Sequence, residues 1–473
     1  MTDRARLLWT FAITSIALFM VSLDNLVVTT AIPVIRTDLD ASLADLEWTV
    51  NAYTLTFAVL LLTGAALGDR FGRRRMFSIG LVIFTLGSVA AALAPTVDAL
   101  NLARALQGLG GAIVMPLTLT ILSAAVPAGK RGLALGAWGG IGGLAIAFGP
   151  LVGGAVVEGI AWQWVFWLNA PIGLVLVPLA LRRLDETHGP AGRLDLLGVA
   201  LASTGLLGIV WALVRGNDQG WASLEILGSL VGGAMLVAAF VAWELRAPAP
   251  MLPLRFFRSA RFGLANVASL LMFFGMFGSI FLLAQFFQTV QGYSPLGAGL
   301  RILPWTLAPM FIAPIAGALS DRIEPKLIIG TGLALQSLAL AWIGLVSTPT
   351  VPYSSLVAPF VLAGVGMALF FAPVANVVLS SVRPQEEGQA SGANNAIREL
   401  GGVFGVAVLA AVFARAGGYE SAQTFSDGTN TAVIIGAIAV GVGSLAAFAL
   451  PRRVRSSRAE AGTADAESLA EAA

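Results

Sequence analysis

The sequence predicts an all-α polytopic membrane protein of fourteen transmembrane helices, and three observations carry that prediction. Of 473 residues, 57% are hydrophobic and 11% are charged, too little polar surface for a soluble chain of this size. Apolar runs recur at about 20 residues or more, the length that crosses the hydrocarbon of a bilayer. The chain also repeats itself. Displaced by 256 positions, Gly108, Gly110, Ala112, Gly132, Gly136, Ile141, Leu144 and Gly149 fall on Gly364, Gly366, Ala368, Gly388, Gly392, Ile397, Leu400 and Gly405. A duplicated helical unit with a site between its halves near the midplane is the construction of alternating-access transporters.

The apolar runs lie at residues 9–33, 48–67, 77–95, 99–126, 133–157, 165–181 and 194–214, then at 223–243, 263–289, 297–319, 327–347, 355–380, 392–414 and 430–450. The repeat divides them into an N-terminal six-helix half (1–183), a linker with two inserted spans (184–246) and a C-terminal six-helix half (247–450). Residues 451–473 are Ala/Glu/Ser-rich, too poor in apolar groups to pack, and are expected to form a disordered tail. The first run contains Asp24 and, at about 25 residues, is longer than a signal peptide's apolar core, so it is expected to be retained.

An even span count puts both termini on one side, and 22 of the 28 lysines and arginines fall on that face. The positive-inside rule makes it cytoplasmic, in a cell membrane. The absence of cysteine excludes disulfides, thiolate metal sites and cysteine nucleophiles. The formal net charge of +2 belongs to cytoplasmic loops and implies no nucleic-acid partner. His188 is the single histidine and sits in a linker, so neither a metal site nor the apparatus of a membrane-embedded enzyme is expected.

Between the second and third runs lies Gly64–Arg75, where Asp69, Arg70, Gly72 and Arg73 to Arg75 crowd five charges into one turn. Gly72 supplies backbone freedom there. The turn resembles the signature loop of the major facilitator superfamily at Leu67, Asp69, Arg70, Gly72, Arg73 and Arg74, with Ala65 in place of the usual first glycine. A weaker copy follows at Gly317–Arg322, retaining Asp321 and Arg322 but placing Glu324 where the second glycine belongs. The resemblance implies that fold and a cytoplasmic gate latched by these acids and arginines.

Further motifs are similar to those of the superfamily's fourteen-span drug:proton antiporter branch. Leu23-Asp24 through Pro33 resembles its first-span signature, with Leu26 and Thr29 replacing the usual threonine and asparagine. An acid in an apolar run is costly without a polar cavity or a partner. Arg104, Gln107, Gly108 and Gly110 resemble the fourth-span pattern, although Arg104 also suits a snorkelling anchor. Gly149, Pro150, Gly153 and Gly154 resemble the fifth-span motif of exporters. Packing alone accounts for small residues four apart. Trp162 to Pro171 resembles the entry to the sixth span, with Gln163 where arginine is usual.

The repeat fails at four charged positions: Asp24, Arg104, Arg398 and Glu399, the last two matching Gly142 and Gly143. Arg104 corresponds to Phe360, and Asp24 is expected to fall near Met276 to Ile280, where no acid stands. Charges absent from one half are not needed to build it, so these are the expected coupling residues. Phe273, Phe277 and Phe281 repeat every four residues and read as packing or lipid contact in preference to a drug site.

The resemblance implies a proton-coupled antiporter exporting amphipathic organic compounds such as drugs and antibiotics. It would work as a monomer in the lipid bilayer, powered by the proton motive force with no cofactor. Asp24 would carry the proton, Arg104 would bias it, Gly149, Pro150, Gly153 and Gly154 would form the moving seam, and Arg398 with Glu399 would be a second polar site. The alternative is a lipid or secondary-metabolite exporter of the same fold.

Overall fold

A computed structural model describes residues 3–126, 131–188, 194–320, 323–383 and 386–451. The first half comprises α1 (Asp3–Asp38), α2 (Leu43–Phe71), α3 (Arg73–Ala92), α4 (Val97–Ala125), α5 (Arg131–Gly159), the short α6 (Trp164–Trp167) and α7 (Asn169–Arg183). An inserted pair, α8 (Leu196–Gln219) and α9 (Leu224–Glu244), precedes the second half. That half contains α10 (Ala260–Gln285), α11 (Pro295–Ser320), α12 (Pro325–Val346), α13 (Ser354–Leu379), α14 (Glu387–Ala416) and α15 (Ala422–Phe448). Among the described residues, twelve helical stretches are long and apolar enough to cross a membrane, α6 and α7 counting as one. Two further helices, α5 and α11, are 29 and 26 residues long. Asp321, Arg322 and the tail from 452 lie outside the described residues.

Local chemistry sets the boundaries. Ser42 and Ser421 close capping boxes at the starts of α2 and α15, and Thr96 and Ser223 cap α4 and α9, each satisfying an orphan amide of the first turn. Gly72 joins α2 to α3 with φ +102°, a conformation that L side chains avoid. Its missing Cβ is also required by space, since one built there would lie 2.7 Å from the Glu186 carboxyl carbon.

The repeated glycines hold equivalent places in the two halves. A Cβ on Gly108 would lie 2.4 Å from the Tyr53 carbonyl oxygen on α2, and one on Gly364 would lie 2.4 Å from that of Trp305 on α11. Gly110 meets Phe84 on α3 at 2.4 Å, while Gly366 meets Gly332 on α12 at 2.4 Å. Gly149 abuts Leu26 of α1, and Gly405 abuts Phe274 of α10. The packing of α4 on α2 and α3 is thus repeated by α13 on α11 and α12, and α1–α5 by α10–α14. Equating Leu26 with Phe274 moves the counterpart of Asp24 to Met272, one to two turns before the positions that the sequence repeat indicates, because the two halves differ in loop length. The conclusion that no acid stands there is unchanged.

The halves meet along α5–α11 and α2–α14. The inserted pair sits astride the second seam, with α8 touching both α2 and α14. Outside it, α9 turns Leu224, Leu227, Val231 and Met235 outward, as a lipid-facing helix does. At the end remote from Gly72 the halves are closely joined. Gly154 meets Pro295 and Leu296, Gly299 meets the Pro150 carbonyl, Gln288 donates to the Thr30 carbonyl at 3.0 Å, and Arg36 stacks 3.3 Å over Tyr419. At the Gly72 end a cavity of about 860 Å³ separates them.

The close approaches give a paired expectation. Gly108→Leu and Gly364→Leu each force apart a helix pair whose backbones touch, so both should lower the melting temperature of the detergent-purified protein by similar amounts. A loss confined to one variant would contradict structural equivalence of the halves.

Candidate functional site

Asp24 lies near the middle of α1, and the fold surrounds it with three donors from two other helices. Arg104 Nη1 on α4 donates to Oδ2 at 2.5 Å, while Gln107 Nε2 and Asn169 Nδ2, the latter opening α7, donate to Oδ1 at 2.7 and 2.8 Å. Asp24 is 2% exposed and Arg104 is 1% exposed. The guanidinium is held in turn: Nη1 also reaches Gln107 Oε1 at 2.7 Å, Nε donates to the Thr49 carbonyl at 3.1 Å, and the Tyr53 ring lies 4.3 Å away. Ser88 of α3 accepts from Gln107 and Asn169 and donates to the Phe166 carbonyl at 2.9 Å.

Two opposite charges out of water are tolerated only when well paired and hydrogen-bonded throughout. Here α1, α2, α3, α4, α6 and α7 all contribute. The geometry decides between the two expectations for Arg104: it is no snorkelling anchor. In the other half the corresponding place is filled by Phe360 stacked on Trp305, centroids 6.2 Å apart.

The cavity begins nearer the Gly72 end. Leu61, Leu62, Ala65, Met115, Leu119 and Trp138 give it apolar walls. Leu61 follows Tyr53 by two turns of α2, about 12 Å at 1.5 Å per residue. Phe57 fills that interval, stacked on Tyr53 at 5.9 Å. Along α2, Tyr53 and Phe57 thus stand between the ion pair and the cavity wall at Leu61.

Asp69 also lines the cavity, and its carboxylate is taken by Arg73 of its own turn, at 2.9 Å from Nε and 2.8 Å from Nη2. Glu186, from the linker, accepts from the amides of Arg74 and Arg75 at 2.9 and 3.2 Å and so occupies the N-terminus of α3. Arg70 lies over Phe71 at 5.3 Å. Across the cavity stand Gln389, Gly392 and Asn395 of α14.

The glycine set on α5 divides between two faces. Gly149 and Gly153 face α1 within their own half, while Gly154 and the Pro150 carbonyl face α11 of the other. Arg398 and Glu399 lie on α14 but do not form a hydrogen-bonded pair. Arg398 Nη1 donates to Asn395 at 3.2 Å and its guanidinium lies 4.4 Å from the Phe273 ring, while Glu399 Oε2 is buried with no hydrogen-bond partner. Phe273, Phe277 and Phe281 are buried, so this stripe is packing.

Sequence reasoning missed Ser88 and Thr49. One is a lone serine in an apolar run and the other acts through its backbone, so neither carries a signal. Gln107 and Asn169 stood inside motifs, and a role as donors was readable from their amides. Glu47, on α2, is 2% exposed and was also passed over.

The sequence profile of the Major Facilitator Superfamily matches residues 14–406 and 306–471. The chain belongs to the major facilitator superfamily. As a member it is a multi-pass membrane transporter and not an enzyme. It is 34% identical over 403 residues to the tetracenomycin C resistance and export protein of Streptomyces glaucescens, covering 85% of this chain and 74% of that one. It is 36% identical over 414 residues to the multidrug resistance protein Stp of Mycobacterium tuberculosis (strain CDC 1551 / Oshkosh), covering 87% of this chain and 76% of that one. The superfamily fold is shared with an auto-inhibited POT family peptide transporter at a TM-score of 0.69 and 16% identity, over 94% of this chain and 96% of that one.

Removing one partner of a buried ion pair strands the other, at about 3–5 kcal/mol. Arg104→Ala should therefore lower the stability of the folded protein markedly. Asp24→Asn, which keeps shape and an acceptor oxygen, should cost less. Chemical denaturation in detergent compares them, and an Arg104→Ala protein as stable as wild type would contradict the pairing described.

Proposed function

We propose that this transporter is a proton-coupled antiporter that exports amphipathic organic compounds from the cytoplasm, with α5 and α11 completing a count of fourteen spans. One observation carries the proposal: a buried Asp24–Arg104 ion pair, present in one half and held by Gln107, Asn169 and the Thr49 carbonyl. In the apolar interior, neutralising Asp24 with a proton removes its charge attraction to Arg104. The network then has to rearrange, and the seam beside it, α1 against Gly149 and Gly153, shifts with it. Proton binding is thereby tied to the relative position of the helices.

In this scheme the Gly72 end is the cytoplasmic one, as the arginine distribution favours, and the cavity is the inward-facing substrate chamber. Its apolar walls and mixed charges suit an amphipathic compound, as the likeness to a tetracenomycin C export protein and a multidrug resistance protein also favours. Asp69 and Arg73, paired within one turn while the cavity is open, would form the latch toward α14 when it closes, with Asp321 and Arg322 in the matching turn. Glu399, half-buried beside Arg398 with its Oε2 unpaired, is the second acid of the pathway. Each chain carries both halves and works as a monomer. A pH difference of one unit contributes about 1.4 kcal/mol, or tenfold accumulation, per proton exchanged.

Asp24→Asn should abolish uphill, proton-driven export in reconstituted vesicles while downhill substrate flux persists. Retained uphill export at wild-type protein levels would remove Asp24 from the role of proton carrier.

A further inference from the structure

The inserted hairpin brings two acids to the wall of the cavity. Asp195 caps α8: its Oδ1 accepts from the Gly198 amide at 2.8 Å and from Trp243 Nε1 at 2.7 Å. Glu244 ends α9, and its Oε2 accepts from the Leu252 amide at 3.0 Å. The second oxygen of each, Asp195 Oδ2 and Glu244 Oε1, is buried without a hydrogen-bond partner. These two oxygens converge on one spot above Gly198, where a Cβ would lie 2.4 Å from the first and 2.9 Å from the second. Glu244 is 4% exposed, and both residues line the cavity.

Among the described residues, no arginine or lysine forms an ion pair with either acid. Among the other cavity residues, Arg73 is paired with Asp69 and Arg255 with Glu386 at 2.8 Å, and Arg258 makes no ion pair with either acid. Arg246, two residues beyond Glu244, is exposed. Two carboxylates side by side cannot both keep a full charge cheaply unless a cation joins them. A proton is the smallest cation that serves. The positive centre of an organic molecule is another, and the apolar walls with Trp138 supply a surface for its body.

We propose that Asp195 and Glu244 form a carboxyl dyad that shares one proton in the empty cavity and exchanges it for the positive centre of an amphipathic organic monocation. The exchange balances: one proton leaves to the cavity water as one positive charge arrives. The inserted hairpin thus carries a substrate-recognising acid pair. This deepens the exporter proposal by naming the substrate class of its cavity, and it rests on that proposal for the direction of transport alone.

The test is equilibrium binding of tetraphenylphosphonium to the purified full-length protein in weakly buffered detergent solution, with released protons counted. Wild type should release about one proton per cation bound, and binding should weaken up to about tenfold per pH unit on acidification. Glu244→Gln and Asp195→Asn should each lose the release and bind about tenfold or more weakly. Both changes keep an acceptor oxygen for Leu252 or for the cap of α8. Glu244→Asp, which restores the acid, should recover release. Wild type that binds no tetraphenylphosphonium or binds it without releasing a proton would overturn the dyad, as would neutral variants that behave like wild type. Intact binding and release in a protein that fails to move the cation across vesicles would instead overturn the exporter proposal and leave the dyad standing.

Discussion

The first half is organised around one interaction, the buried ion pair of Asp24 and Arg104. Each partner alone would be prohibitively expensive in an apolar bundle, and the pair is acceptable because hydrogen bonds from several helices hold both charges. Gln107 and Asn169 share the carboxylate with Arg104, Ser88 joins them, and the Thr49 carbonyl holds the guanidinium from behind. The close helix contacts follow from the same requirement. Gly108 lets α4 lie against the backbone of α2 at Tyr53, which carries the Arg104 ring contact, and Gly149 and Gly153 let α5 lie against α1 beside Asp24. A network that allows only one arrangement while charged resists small displacements and yields when its charge is removed.

The second half solves the same packing problem without charge. Phe360 on Trp305 takes the place of Arg104 on Tyr53, and Met272 takes that of Asp24. Equivalent glycines then serve equivalent helix crossings on both sides. The fold therefore needs the glycines and can dispense with the ions, which separates architecture from chemistry within one chain. The two charged residues singled out in the second half, Arg398 and Glu399, sit instead on α14, with the Arg398 guanidinium over Phe273 of α10 and Phe371 of α13.

Much of the architecture was legible because helix crossings leave glycines at fixed spacing, and eight matched positions sufficed to pair α4 with α13 and α5 with α14. The relation of α1 to α10 was legible only to within about two turns, since loop lengths differ between the halves and no glycine on α1 marks its register. Asp24 and Arg104 could be singled out as unmatched charges, yet their contact was not readable: 80 residues separate them and only the tertiary fold joins them. Ser88 and the Thr49 carbonyl gave no signal at all, because a hydroxyl in an apolar run and a backbone oxygen look alike in use and in idleness. Asp195 and Glu244 read as ends of spans. Their convergence depends on how two antiparallel helices return to the same membrane face.

The described state is closed at the end bearing Arg36 and Tyr419 and open at the end bearing Gly72, and in the proposed mechanism the protonation of Asp24 decides between this arrangement and its inverse. The chain contains no cysteine, so spin-label pairs can be introduced across each end and their distances measured as pH is lowered. Wild type should shift on acidification from the population open at the Gly72 end toward the one open at the opposite end, whereas Asp24→Asn should show a single distribution that does not respond to pH. A wild-type pH response in Asp24→Asn would contradict the account.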